Sequence, residues 1–262
     1  MLLAKDLLLS DPQIHLLIHA VKMLKKLLWV LLVIGTYVTA TEPPLPKLMV
    51  LTEDLPPLQI TENNILVDGI AFHAVRHLLD SSELNYSMDV MPWARAYKIA
   101  QEQPNVLLFS LVRTPHRENA FHWLTRIADM DMYLVSAKTA HVGLTTLEEA
   151  RKVLIGVKRN DVVYEYLSAN GFVDNQNLLI MRDTQDTYDA LINHRVQLAP
   201  ANPELINAYC KLTGCNLESF RFNVLMPDMH QDFYLAASMG TDPRILKRIR
   251  QTIVATGELA AK

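Results

Sequence analysis

At 262 residues the chain is long enough for one large domain or two of modest size. Half of it is hydrophobic and a fifth is charged, which excludes extended disorder. A net charge of -3 and a pI near 6.3 give no electrostatic ground for a nucleic-acid partner.

The first 40 residues differ from the rest. From Met23 the chain carries Lys25 and Lys26, then the apolar run Leu27 to Val38, then Val38-Thr39-Ala40. This is the charged start, short apolar stretch and small-residue cleavage site of a secretory signal peptide, expected to be cut after Ala40. The alternative is an uncleaved N-terminal anchor, against which the shortness of the apolar run argues. A signal normally begins close to its own methionine, so translation is expected to start at Met23, with residues 1–22 lying upstream of the true start. Residues 1–40 contain four lysines and two aspartates, so their removal takes the net charge to -5.

After Lys47 the pattern alternates between strand and helix. Residues 47–52 read as an apolar strand, 69–80 as a helix through Ala71, Val75, Leu78 and Leu79, and 86–90 as a strand. A helix follows from Trp93 and a buried strand at 105–110, giving a β-α-β-α-β order and hence a parallel sheet covered on both faces. The grammar then repeats: strand 131–137, a capping box at 146–149, strand 153–157, and a helix opened by Asn160 and Asp161 and closed by Gly171. Strand 177–181, a helix from Thr184, strand 196–200 and a helix from Pro203 complete this second part. Strand 232–238 and a helix capped by Asp242, with Pro243 in its first turn, end the chain. With no flexible linker between them, two α/β lobes joined through strands make a hinged cleft, with the hinge expected near residues 132–137 and 233–238. Lobe 1 is expected over 41–134 plus 238–262, and lobe 2 over 135–237.

Open parallel sheets bind ligands beyond the carboxyl ends of their strands. Ser110 to Arg117 lies at such an end, with Thr114 placed as an N-cap and Pro115 as the first helical residue. Arg117 then sits where a helix N-terminus already carries partial positive charge. An anion held by free backbone N–H groups and a bidentate arginine relieves that conflict. A pairing of Arg117 with Glu118 or another surface carboxylate relieves it equally well. Arg113 is a possible second cation at the site. Trp93 and Arg95 follow a strand end and are candidates for the cleft, although a lone Trp commonly packs between helix and sheet. Glu53 and Asp54 follow the first strand, either as a receptor for an ammonium group or as a solvated loop. Asn160 and Asp161 are caps first and ligand contacts second. Cys210 and Cys215 either form a disulfide across a helix end near Gly214 or stay as two buried thiols. The nine histidines show no metal-ligand spacing, and no metal or other cofactor is expected.

The mature chain resembles family 3 of the bacterial extracellular solute-binding proteins, the amino-acid-binding components of ABC importers. The likeness rests on an early strand followed by "EDLPPL", Gly69 before the first helix, a strand ending in Ser110, "TPHRE", a nearby aromatic and "MYLVSAK", and it covers nearly all of residues 47–262. "PWARAY", "PNVLLFS" and "RTP" are similar to a stand-alone periplasmic subgroup. The resemblance implies a two-lobed periplasmic-binding-protein type II fold, each lobe a mostly parallel sheet flanked by helices. It also implies that Ser110 and Arg117 grip a ligand carboxylate. The chain departs from the family where Leu55 and Leu58 replace a stacking aromatic, and where Gln197 and Asn202 stand in place of the second lobe's carboxylate. These features lead to an expectation of a soluble, monomeric periplasmic protein that captures a small polar, carboxylate-bearing solute for an ABC permease. A sensory domain read by a sensor kinase is the alternative. A small dehydratase or lyase, activities that the resemblance associates with a few relatives of the fold, is the lesser alternative; an enzyme is not expected, since only Glu53, Asp54 and His116 could serve as acid or base and no catalytic motif accompanies them.

Overall fold

Residues 48–51 are an unbroken apolar run in which Leu48, Val50 and Leu51 are all buried, as expected of a strand covered on both faces. In the computed structural model, which describes residues 16, 19–26, 42–226 and 230–257, they form the second strand of a five-stranded sheet. The chain divides into two units, Met1–Pro44 and Leu45–Lys262. In the first, residues 19–26 are helical and exposed, and no helix among the described residues is long and apolar enough to cross a membrane. The apolar run and cleavage site expected at 27–40 lie outside the described residues.

The second unit opens with β1 (Leu48–Thr52), the hairpin β2 (Ile60–Glu62) and β3 (Ile65–Asp68), α1 (Ile70–Ser81) and β4 (Tyr86–Val90). Then come α2 (Trp93–Glu102), β5 (Val106–Val112) and β6 (Phe121–Met130). The order of the first sheet is β4-β1-β5-β12-β6, closed by the late strand β12 (Gln231–Ser238). β1 pairs in parallel with β4 and β5, and β12 runs antiparallel to both β5 and β6, so four of the five strands point the same way.

The second sheet repeats this plan. β7 (Tyr133–Ala137) pairs antiparallel with β10 (Ala199–Ala201) and β11 (Phe220–Leu225), while β8 (Ile155–Lys158) pairs in parallel with β9 (Leu178–Met181). A parallel bridge between Ile155 and Leu198 joins the pieces in the order β9-β8-β10-β7-β11. Again one strand opposes the other four. The helices of this half are α3 (Leu147–Ala150), α4 (Val162–Ala169), α5 (Thr184–Ile192) and α6 (Pro203–Thr213), and α7 (Pro243–Thr256) follows β12.

Two expectations need correction. The boundary drawn at residue 237 cuts through β12, yet the whole strand hydrogen-bonds between β5 and β6. The reason is β6, a strand not anticipated from the sequence, which supplies the second partner of β12. The chain therefore crosses between the sheets at residues 131–132, after β6, and again between the end of β11 and the start of β12. The helix expected from Pro115 is also absent: residues 115–120 form consecutive turns, with Arg117 N donating to Thr114 O and Ala120 N to Arg117 O. β6 begins at Phe121 and leaves too few residues for a helix. Cys210 and Cys215 are joined in a disulfide across the end of α6, where Gly214 takes a φ of 77°.

Candidate functional site

Strand ends from both sheets face one another across a narrow cleft that encloses a cavity of about 50 Å³. The first half contributes Glu53 beyond β1, Trp93 at the start of α2, Ser110 in β5, Arg117 in the turn after β5 and Gln231 at the start of β12. The second contributes Lys158 at the end of β8, Asp161 as cap of α4, Thr184 at the start of α5 and Tyr188 one turn later. Backbone geometry on both walls is unusual. Ser110 lies within a strand at φ 58°, and Asn160 has φ 57°, values that non-glycine residues rarely adopt.

Arg117 is fully buried, and its charge is answered from across the cleft. Its Nη2 lies 2.7 Å and its Nε 3.3 Å from the same Glu165 oxygen, Oε1. Nη2 also donates to the carbonyl oxygen of Asn160 at 3.0 Å, which accepts the Trp93 Nε1 proton at 2.9 Å. The left-handed backbone of Asn160 thus aims one carbonyl at two donors of the opposite wall. The guanidinium stands 5.0 Å from the Tyr97 ring centroid and 6.0 Å from that of Trp93, within cation–π range.

A second charge cluster spans the cleft. Lys158 Nζ lies 2.7 and 2.8 Å from the two oxygens of Glu53 and 3.2 Å from Asp161 Oδ2. Burial raises the Glu53 pKa despite the ammonium beside it. For Lys158, burial works against the charge, but the Glu53 and Asp161 carboxylates override it and hold the pKa above its ordinary value. Two carboxylates share one ammonium here, which leaves an excess negative charge. Gln231 Nε2 and Thr184 Oγ1, one on each wall, are buried without a hydrogen-bond partner. Among the described residues no group of three or more His, Cys, Asp or Glu is arranged to hold a metal ion.

The structure brings together Glu53, Trp93, Ser110, Arg117 and Asp161, and places Asn160 against them through its carbonyl. Ser110 donates its hydroxyl to Gln59 Oε1 at 2.9 Å. Asp161 is also the cap of α4, accepting from Val163 N. Other expected residues lie elsewhere. Arg113 pairs with Glu118 and stacks near Trp123 and Tyr234, outside the cleft. Thr114 accepts from Arg117 N, and Arg95 is exposed on α2. Asp54 is held by Thr61 N and borders a neighbouring cavity of about 30 Å³, while Asn202 caps α6 through Leu205 N. Lys158, Glu165, Tyr188 and Gln231 escaped the sequence reading. Lys158 ends an apolar strand just as Ser110 does, and Glu165 lies one turn beyond Asp161, so strand-end and i,i+4 logic pointed to both.

No family model matches this chain, and neither does any curated protein. Solved structures do. A histidine kinase sensor domain described as similar to periplasmic binding proteins has a TM-score of 0.68 at 14% identity, covering 80% of this chain and 89% of its own. An ancestral arginine-binding protein bound to arginine has a TM-score of 0.66 at 14% identity, with 80% and 92% covered. Holo ArgBP from T. maritima has a TM-score of 0.67 at 12% identity, with 80% and 90% covered. At such identities the likeness speaks for the fold alone. The chain has a periplasmic-binding-protein-like α/β fold, with its candidate site in the cleft between the two sheets.

Proposed function

We propose that this chain is an exported solute-binding protein, a distant relative of family 3 of the extracellular amino-acid-binding proteins, which closes two halves over a small amino-acid-like solute. The observation that carries this reading is the pairing of a fully buried Arg117 with an excess-negative Glu53–Lys158–Asp161 cluster in the same cleft. The guanidinium suits a carboxylate, and the acidic cluster suits an ammonium group. Gln231 and Thr184 supply unpaired polar atoms for further contacts. The halves comprise residues 45–130 with 231–257, and residues 133–226. Export rests on the leader-like stretch 23–40, and delivery to an ABC permease on the family resemblance. The solved structures that the chain resembles are binding proteins and a sensor domain, which favours capture over catalysis.

Trp93 offers the test, because its indole borders the cavity and bonds across it. Titration with amino acids, simple carboxylates, polyamines and sugars should change tryptophan emission for an amino-acid-like compound, and Trp93→Phe should abolish the change. A panel in which only sugars or polyamines act would overturn the reading. A sensory domain is the second reading, favoured by a cleft already bridged by the protein's own ion pairs and by the sensor-domain neighbour. It predicts partner binding that does not depend on solute.

A further inference from the structure

The bonds described across the cleft converge on one short segment, residues 158–165. Glu53 meets Lys158, Trp93 and Arg117 meet the Asn160 carbonyl, and Arg117 meets Glu165. Arg117 therefore already holds a carboxylate, supplied by the chain itself. We infer that Glu165 is a built-in competitor for the solute's carboxylate, and that its displacement from Arg117 sets which solutes the cleft accepts. The inference rests on the proposed carboxylate-binding role of Arg117.

Three observations support displacement rather than a fixed clasp. Glu165 offers a single oxygen to Nε and Nη2, whereas an arginine fork is matched best by two oxygens side by side. An incoming carboxylate can present both. The two partners also differ in exposure: the Arg117 side chain is 1% exposed and that of Glu165 28%, so the glutamate has a route to water that the arginine lacks. Finally, exchange of one carboxylate for another leaves the charge of the cleft unchanged, so Arg117 is never buried without an anion. A solute without a carboxylate cannot make this exchange. It must either leave Glu165 in place or strand the guanidinium. The self-paired state also lowers apparent affinity, because only the fraction of molecules with Glu165 released can receive the solute.

Glu165→Gln keeps the side chain's size and removes its charge, and Glu165→Ala removes its reach. Calorimetric titrations of the wild type, both variants and Arg117→Ala would use L-arginine, L-glutamate and succinate as carboxylate probes. Agmatine, which is arginine without its carboxylate, serves as the matched control. The expected result is binding of at least one carboxylate probe about tenfold tighter or more in both Glu165 variants, with agmatine binding unchanged. If Arg117→Ala abolishes carboxylate binding while the Glu165 variants bind as the wild type does, or more weakly, the competitor role is overturned and the carboxylate reading stands. If Arg117→Ala binds carboxylates as well as the wild type, the carboxylate reading fails and takes the inference with it. Failure of every probe on both Glu165 variants also overturns the inference, since no carboxylate then replaces Glu165.

Discussion

Replacing Lys158 by Met removes the only cation among the groups described around Glu53. The Glu53 side chain is 5% exposed and receives both ammonium contacts, at 2.7 and 2.8 Å. Without them, burial, already the dominant influence on this carboxyl, raises its pKa further above the ordinary value and favours the protonated acid more strongly. Keeping a carboxylic acid of ordinary pKa 4.5 protonated costs at most about 3.4 kcal/mol at pH 7 and less than about 1 kcal/mol at pH 5. The sign follows from proton counting. A folded-state pKa above the unfolded value means that the folded protein binds the extra proton, so stability falls as pH rises above about 4.5. Urea unfolding at pH 7 and pH 5 should show a loss between about 1 and about 3 kcal/mol at the higher pH and a much smaller one at the lower. Glu53→Gln combined with Lys158→Met should remove the part of the pH dependence that Glu53 causes, because an amide does not titrate, and leave only what Asp161 contributes after losing the same ammonium. A Lys158→Met loss that is equal at the two pH values, or below about 1 kcal/mol at pH 7, would refute the reasoning.

Other consequences concern the scaffold. Opening the Cys210–Cys215 loop, which spans only five positions, should cost about 2 kcal/mol, measured by urea unfolding of Cys210→Ser/Cys215→Ser. Gly69→Ala should cost about 3 kcal/mol or more, because Gly69 has φ 122° and an added Cβ would lie 2.4 Å from the Leu58 carbonyl oxygen and 2.6 Å from Gln59 Cα. Since Gln59 accepts the Ser110 hydroxyl, the same variant should also weaken any solute binding seen by Trp93 emission.

Features encoded within a few residues were legible in the sequence. Strand 86–90 coincides with β4, Thr146 and Glu149 form both halves of their capping box, and Asp242 caps α7 with Pro243 in its first turn. What failed depended on distant partners. β6 mixes exposed and buried positions without clean alternation, and only pairing with β12 makes it a ten-residue strand. The hairpin β2–β3 turns through Asn63 and Asn64, both at positive φ, a turn signal that the sequence did offer. At Thr114 and Pro115 the local signature of a helix start was present, but the approach of β6 leaves room only for turns. In the site, the strand-end rule located Arg117, Ser110 and Glu53. The partner of Arg117 lies 48 positions away on the opposite wall, and only the fold brings it there.

The central claim is that Arg117 grips the carboxylate of a small solute. The most direct measurement is thermal unfolding of the wild type and Arg117→Ala against a panel of amino acids, other carboxylates, polyamines and sugars. A carboxylate-bearing solute at a hundred times its dissociation constant should stabilise the wild type by about 2.7 kcal/mol and leave Arg117→Ala unmoved. Equal stabilisation of both proteins by that solute would contradict the claim.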